Sequence, residues 1–231
     1  MLDIGGKPMI QWVLDALGAA EMVDHVVVVG LPPFTDLTCK YPLTVLTDQG
    51  GLMENIHHGA AEVLRQNAGQ THALVVSVDI PAITGEMVDC FASQVADGEA
   101  DFYLNVIERT VLEDRFPNSQ RSFTHLKGMQ VCAGDLYAFR LALAVDDRPI
   151  WRRLAGAQHS SLKQASLLGY DTLFFIFLRQ LTLQEAARVV SKRLGIEARA
   201  VLCPFAEIGM DVDKPAQLDI LRAELGKLQG L

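Results

Sequence analysis

The stretch Ala73-Leu-Val-Val-Ser-Val-Asp79-Ile-Pro81 is an almost continuous apolar run that ends at an aspartate and a proline. A short apolar run bounded in this way predicts a strand buried on both faces, as in parallel sheets. His25-Val-Val-Val-Val-Gly30 has the same character, and Leu43 to Thr47 is a shorter candidate. The first half of the chain therefore supplies three strand candidates, two of them fully apolar in pattern.

Predicted helices separate these strands. Residues 8–20 place apolar side chains at helical spacing behind a first-turn proline, and Thr182-Leu-Gln-Glu185 is a capping-box pattern that starts a late helix. The alternation of helix and buried strand predicts an α/β fold: a doubly wound mixed sheet flanked by helices, in a single domain over residues 1–231. The remaining predicted helices cover residues 53–66, 84–95, 135–144, 149–155, 160–178 and 214–228.

A change of pattern marks residues 101–135. Strand-like segments at 101–107, 122–126 and 130–132 are separated by an irregular polar stretch, and this predicts a small β-rich flap rather than another strand–helix unit. Residues 199–202 form a last strand candidate.

Composition limits the function classes. The formal charge is −8, which argues against a surface for nucleic-acid phosphates, because such surfaces depend on clustered Lys and Arg. The 4 cysteines are far apart and suggest neither a zinc ribbon nor a disulfide framework. No apolar run approaches the roughly 20 residues of a membrane span. We expect a cytoplasmic protein that contacts neither nucleic acid nor membrane, and the sequence is compatible with a homodimer.

Asp79 is the sharpest candidate for chemistry. It follows a buried strand, and in doubly wound sheets ligands bind beyond the carboxyl ends of the strands. A carboxylate there offers the hard oxygen ligands that Mg²⁺ prefers. An aspartate that merely serves a turn is the alternative explanation of the same position.

A second pair of carboxylates lies late in the chain, at Asp211 and Asp213. Residues two apart in an extended segment face the same side, so both are candidate metal ligands. The pattern alone slightly favours Asp213 as the cap of the helix that begins at Pro215.

Together these segments resemble the MobA-like NTP transferases, which catalyse nucleotidyl transfer on a GT-A-type fold. Val78-Asp-Ile-Pro-Ala-Ile-Thr84 is similar to the family's Asp-x-Pro-x-x-Thr element, and Asp213-Lys-Pro-Ala-Gln-Leu218 to the superfamily's late Asp-x-Pro-x-x-Leu element. Residues 4–12 and 50–59 resemble its entry to the first helix and its loop near the base and ribose. The similarity follows the same order along the whole chain.

The resemblance implies transfer of an NMP group from an NTP to a phosphorylated or hydroxyl small-molecule acceptor, with release of pyrophosphate. It assigns catalysis and Mg²⁺ or Mn²⁺ binding to Asp79 and Asp213. Gly51 and Asn55 correspond to the nucleotide side, while Arg121 and Lys127 lie where an acceptor phosphate would bind, although their charges favour a solvated flap surface. A glycosyltransferase of the same fold, using a nucleotide sugar, and a non-catalytic nucleotide-binding or regulatory domain are the two rival functions.

The family begins with a strand, a Gly-rich loop and a lysine that have no counterpart ahead of Ile4-Gly-Gly-Lys-Pro8 in this sequence. We therefore expect the domain to be incomplete at its N-terminus, and this 231-residue form to release negligible pyrophosphate.

Overall fold

A computed structural model of the chain describes residues 2–145 and 180–228. These residues form a mixed sheet flanked by helices, together with a separate pair of parallel strands. The strands are β1 Asp3–Ile4, β2 Lys7–Pro8, β3 Val26–Val29, β4 Leu43–Leu46, β5 His72–Val76, β6 Phe102–Glu108, β7 Thr124–Leu126, β8 Met129–Arg140 and β9 Ala198–Cys203. The helices are α1 Met9–Ala19, α2 Leu52–Gln66, α3 Gly85–Val95, α4 Arg109–Arg115, α5 Leu141–Val145, α6 Leu183–Leu194 and α7 Pro215–Leu228, with a 3₁₀ turn at Ala206–Gly209.

The larger sheet has five strands in the order β5-β8-β6-β9, with β7 paired to β8. Strand β8 runs antiparallel to β5 and β6, whereas β6 and β9 are parallel. Strands β3 and β4 pair in parallel with each other and, within the described residues, belong to a sheet of their own. The α/β class and the mixed sheet flanked by helices are as predicted.

The capping box predicted at Thr182 is confirmed, and the structure shows a further side-chain cap at Thr84. The Thr182 hydroxyl accepts from the backbone N–H of Glu185, whose carboxylate accepts in return from the backbone N–H of Thr182, which completes the capping box of α6. The Thr84 hydroxyl caps α3 by accepting from the N–H of Met87. Both caps satisfy amides that the first helical turn leaves without a partner.

The predicted helix at 135–144 is wrong. Residues 129–140 form the long strand β8, and only Leu141–Val145 is helical. From Asp135 to Ala138 partly buried and buried positions alternate, as expected of a strand. Because β8 lies between β5 and β6, backbone pairing on both sides outweighs the local helix preference.

The region predicted as a flap, 101–135, is rich in strands but is built into the main sheet. Its first strand, β6, lies between β8 and β9. The polar stretch that followed it contains helix α4 rather than irregular chain. The predicted helices at 149–155 and 160–178 lie outside the described residues.

The main core brings the helices onto the sheet close to the carboxyl end of β5. Leu14 of α1, Tyr103 of β6 and Ile208 of the 3₁₀ turn are each almost fully buried in one apolar cluster. Gly134 lets the 3₁₀ turn approach β8, because a Cβ at that position would lie 2.8 Å from the Ile208 Cγ2. This contact places the chain that leads to Asp211 beside the end of β5.

Candidate active site

Asp79 lies three residues beyond the end of β5 and is tied to the late part of the chain. Its backbone carbonyl accepts a hydrogen bond of 3.0 Å from the N–H of Val212, between the two late aspartates. Its side-chain Oδ1 is buried and has no hydrogen-bond partner among the described residues. A buried acceptor without a partner is costly, and such atoms often mark a position that a ligand or ion completes.

Asp135 of β8 lies beside Asp79 and was not among the predicted site residues. The pairing of Val76 with Leu136 aligns the two segments, as does a 2.9 Å hydrogen bond that the Ser77 N–H donates to the Asp135 carbonyl. Burial raises the pKa of Asp135 to about 7, and the nearby charges of Asp79 and Asp211 contribute to that rise. The Asp135 Oδ2 is also buried without a hydrogen bond among the described residues.

Arg121 provides the basic side chain of the site. Its guanidinium pairs with Asp211, lies 3.7 Å from the Asp135 carboxylate and donates a 3.2 Å hydrogen bond to the Ala133 carbonyl. The Arg121 side chain is only 15% exposed, so its ion pair is largely shielded from water. Burial raises the pKa of Asp211, while Arg121 opposes that rise and Asp213 adds to it. Arg121 thus forms an ion pair with Asp211. The carboxylates of the site therefore outnumber its one described guanidinium.

Asp213 is exposed at the start of α7. The amides that precede this helix are capped by Gln217, whose side-chain oxygen accepts from the N–H groups of Asp213 and Lys214 at 3.0 and 2.8 Å. The Asp213 carboxylate instead lies close enough to that of Asp211 for its charge to raise the pKa of Asp211. Gln217 therefore caps these amides, and the Asp213 carboxylate lies near the other acids of the site.

We call Asp79, Asp135, Asp211, Asp213 and Arg121 the crevice cluster.

Gly51 and Asn55 lie at the start of α2. Gly51 is the N-cap residue and its carbonyl accepts from the Asn55 N–H at 2.9 Å. The Asn55 side chain accepts from the N–H of Gln49 and donates to Asp48, so it fixes the preceding loop. Asn55 and Val78 line the same cavity, which extends between β3 and β5. The start of α2 therefore lies at a cavity that Val78, the residue before Asp79, also lines.

Lys127 lies away from these residues in the turn between β7 and β8. It is exposed, its backbone N–H donates to the Leu181 carbonyl at 2.8 Å, and its charge acts on Glu185 of α6. The structure therefore groups Lys127 with the start of α6, whereas it brings Arg121 into the crevice cluster.

The donor set of the crevice cluster suits a hard divalent cation that arrives with a phosphate. Mg²⁺ is usually held by one or two carboxylates together with substrate phosphates and water. The unpartnered Asp79 Oδ1 and the exposed Asp213 carboxylate are oxygens of this kind. Within residues 2–145 and 180–228, no group of three or more His, Cys, Asp or Glu side chains is arranged to hold a metal unaided.

Two residues of the site, Asp135 and Gln217, were not predicted, and only one of them had a local sequence signal. Asp135 was assigned to a helix, so its approach to Asp79 depended on recognising β8 and its register with β5. Gln217 lies four residues after Asp213, a spacing that lets a side chain from the first helical turn reach back to the amides before it. That second signal is visible in the sequence.

Comparison with known proteins agrees with this geometry. Residues 1–113 match the model of the MobA-like NTP transferase domain. The chain is also 32% identical to a hypothetical transferase from Thermus thermophilus, covering 94% of this chain and 88% of the other, with a TM-score of 0.79. The chain belongs to the MobA-like NTP transferase family. It is therefore a nucleotidyltransferase-type enzyme, as predicted.

Two more distant solved structures share the fold of this family member. CMP:2-keto-3-deoxy-manno-octonic acid synthetase in complex with CTP is 17% identical, covers 100% of this chain and 91% of its own, and gives a TM-score of 0.57. A 2-C-methyl-D-erythritol 4-phosphate cytidylyltransferase, also from Thermus thermophilus, is 16% identical over 98% of this chain and 92% of its own, with a TM-score of 0.53. None of the curated proteins compared with the chain matches it.

A search of the described residues for a helix both long and apolar enough to cross a membrane finds none.

Proposed function

We propose that this family member transfers an NMP group from an NTP to a phosphorylated or hydroxyl acceptor, releases pyrophosphate, and requires Mg²⁺ or Mn²⁺. The observation that carries the proposal is the excess of carboxylate at the carboxyl end of β5, where the Asp79 Oδ1 is buried without a partner among the described residues. Carboxylates alone repel a triphosphate, so such a site accepts one only when a cation lies between them.

In this proposal Asp79 and Asp213 hold the cation, which offsets charge on the phosphate oxygens when it is bound. Asp211 has a different role, because its ion pair with Arg121 fixes the guanidinium beside the two metal-binding carboxylates. An arginine held in this way is preorganised for a phosphate oxygen, since it needs little reordering to donate. Asp135 supports the arrangement from β8 by adding a second carboxylate near Arg121.

The proposed reaction is a nucleotidyl transfer. An oxygen of the acceptor attacks the α-phosphorus of the nucleotide, and the bond from that phosphorus to the pyrophosphate oxygen breaks. The protein residues bind and orient the two reactants, and positioning of this kind accounts for much of the rate enhancement in phosphoryl and nucleotidyl transfer. Asn55 lines the cavity, Gly51 lies at the start of the same helix, and both are proposed to contact the base or ribose. Lys127 stays a predicted contact to the acceptor.

Binding measurements test the proposal directly. We expect isothermal titration to show that CTP, GTP or ATP binds with Mg²⁺ at least about tenfold more tightly than with EDTA. CTP is the first nucleotide to use, because a synthetase with a similar fold is complexed with CTP. Asp79→Asn should remove the metal dependence, whereas Asp219→Asn, which alters an exposed carboxylate on α7, should leave it unchanged. Equal metal-dependent affinity in the parent and Asp79→Asn would overturn the proposal.

A further inference from the structure

The segment that leads into Arg121 has a strained backbone. Asn118 and Gln120 have left-handed backbone angles, with φ of 66° and 55°, and no other non-glycine residue in 2–145 and 180–228 has a positive φ. This conformation is unfavourable for residues with a side chain, although asparagine adopts it several times more often than most. Gln120 is therefore the less tolerant of the two, and it directly precedes Arg121.

Contacts from within and outside the segment hold this backbone. The side chains of its two left-handed residues are exposed, so they do not explain it. Ser119 is buried, and its N–H donates to the Phe116 carbonyl at 3.2 Å, which fixes the first half of the segment. In the second half, the Lys214 ammonium donates a hydrogen bond of 2.6 Å to the Gln120 carbonyl. A charged donor makes a stronger hydrogen bond than a neutral one, so this contact favours the observed conformation of Gln120.

Lys214 extends from a turn whose backbone is fixed. The side chain of Gln217 is buried, and its oxygen accepts from the N–H groups of both Asp213 and Lys214. Hydrogen bonds to two successive amides leave the turn before α7 little freedom. The Lys214 side chain therefore starts from a defined position, although the side chain itself is exposed.

Two contacts join the strained segment to the late acids. One is the hydrogen bond from Lys214 to Gln120, and the other is the ion pair of the adjacent Arg121 with Asp211. These contacts and the backbone of 120–121 and 211–214 close a ring, so the direction of the Arg121 side chain depends on both. The Arg121 Nε is buried and has no hydrogen bond among the described residues, so the guanidinium has a donor that the ion pair does not use.

We propose that Lys214 is a positioning residue of the nucleotidyl-transfer site: it holds Gln120 in its left-handed conformation and so orients Arg121 toward the nucleotide phosphates. This inference rests on the proposed function, in which Arg121 donates to a phosphate oxygen. Lys214 is also the neighbour of the proposed metal ligand Asp213, so one turn serves both the cation and the arginine. An exposed polar contact adds little to global stability, which separates this role from a merely structural one.

Calorimetric titration of CTP with Mn²⁺ tests the role of Lys214. Lys214→Met should weaken binding about fivefold, because Arg121 is then less well oriented. Lys214→Arg keeps a cationic donor and should bind within about twofold of the parent. Binding of Mn²⁺ alone, followed by electron paramagnetic resonance, should not weaken in Lys214→Met. Lys192→Met, the same change at an exposed position in the last turn of α6, should bind CTP as the parent does. Parent-like affinity in Lys214→Met, or a loss in Lys214→Arg as large as in Lys214→Met, would overturn the proposal.

A second change separates positioning from a direct contact between Lys214 and a phosphate. Gln120→Asn lowers the cost of the left-handed backbone and should return Lys214→Met to within about twofold of the parent affinity. In an Arg121→Lys background, Lys214→Met should have less than about a twofold effect, because Lys214 acts through Arg121. If Gln120→Asn restores nothing, or the fivefold loss persists beside Arg121→Lys, Lys214 does not act by positioning Arg121.

Hydrogen exchange in the nucleotide-free protein gives a readout that does not depend on nucleotide binding. Amides in residues 117–122 should exchange at least about fivefold faster in Lys214→Met than in the parent, and Gln120→Asn should reverse most of that increase. Unchanged exchange in Lys214→Met overturns the role of Lys214 whatever the nucleotide affinity. A parent protein that binds CTP no better with Mn²⁺ than with EDTA rejects the proposed function and this inference with it, whereas a binding parent with a parent-like Lys214→Met rejects the inference alone.

Discussion

Acidic side chains collect at both ends of β5, and the two groups differ in how their charge is balanced. The crevice cluster follows the carboxyl end of the strand. The opposite end holds Asp97, Glu99 and Asp101, with Arg140 and Arg199, which we call the rear cluster. In the rear cluster Arg140 pairs with Asp101 at 2.9 Å, and Arg199 pairs with both Asp97 and Glu99.

One carboxyl group in each cluster has a shifted pKa, and the two shifts have opposite signs. In the rear cluster, the hydroxyl of Tyr103 donates to Asp97 and is the largest of the influences that lower its pKa. In the crevice cluster, burial and neighbouring carboxylates raise the pKa of Asp135 to about 7. In the rear cluster each acid has an arginine partner, as in a structural ion-pair network, whereas the excess carboxylate of the crevice cluster is consistent with the proposed cation. The comparison thus distinguishes a structural ion-pair network from a candidate site on one sheet.

The largest expected effect comes from removing the crevice arginine. Arg121→Met should lower the free energy of unfolding by about 3 kcal/mol, because it leaves Asp211 with an uncompensated, mostly buried charge. Urea denaturation at pH 7.5 without metal measures it. The matched change in the rear cluster, Arg199→Met, alters a side chain that is 41% exposed and should cost less than about 1 kcal/mol. Equal losses would remove the distinction between the two clusters.

The next effect separates the two late aspartates. Asp213→Asn should weaken the binding of CTP with Mn²⁺ about tenfold, or about 1.4 kcal/mol, with little change in stability because the side chain is exposed. Asp211→Asn should instead lower the urea midpoint, since it breaks the ion pair with Arg121. Calorimetric titration and denaturation of both variants provide the comparison. The reverse pattern would move the proposed metal ligand from Asp213 to Asp211.

A smaller effect depends on the pKa of Asp135. Because this pKa is raised to about 7 in the folded protein, the folded state retains a proton that the unfolded state loses near pH 4. Stability contributed by protonated Asp135 should therefore fall as the pH rises from about 4 to 7. Asp135→Asn should remove that slope and stabilise the protein at pH 7.5 by about 1 kcal/mol, less than the full shift implies because solvent reaches a third of the side chain. Thermal denaturation between pH 5 and 8 tests it, and an unchanged slope would contradict the assignment.

The smallest effect is the opposite pH dependence in the rear cluster. The lowered pKa of Asp97 means that its contribution to stability is present above the unfolded pKa and is lost as the pH falls through the folded one. Asp97→Asn should therefore reduce stability slightly at pH 7, and this difference should disappear as the pH falls through the lowered pKa of Asp97. Nucleotide affinity should not change. A loss of affinity in this variant would show that the rear cluster affects the site.

The sequence predicts the parts of this site whose signals are local. Asp79 follows an apolar run, Asp213 precedes the apolar pattern of the last helix, and both stand close to prolines, so their places at the ends of elements are visible without a structure. Asp135 could not be assigned in the same way, because its neighbours in space belong to strand β5, more than fifty residues earlier. A strand formed by long-range pairing leaves a weaker local pattern than a capped helix.

The same difference between local signals and long-range pairing explains which fold predictions were right and which were wrong. The capping box at Thr182 satisfies its own amides within four residues, and the structure bears it out. Strand β8 depends on partners on both sides, and its Leu-Tyr-Ala-Phe segment is acceptable to a helix when read alone. For Arg121 the sequence suggested only a contact to an acceptor phosphate. Its ion pair with Asp211 was not predicted, because the two residues are 90 positions apart.

Strand β8 carries one residue of each cluster, Asp135 toward the crevice and Arg140 at the rear. Five residues of strand span about 17 Å, roughly twice the screening length at physiological ionic strength. Substitutions at the two clusters should therefore combine additively, with a coupling energy below about 0.5 kcal/mol in a double-mutant cycle. Stability and chemistry can then vary independently in this protein: a stronger ion pair at the rear can offset a destabilising change in the crevice while leaving the nucleotide site untouched.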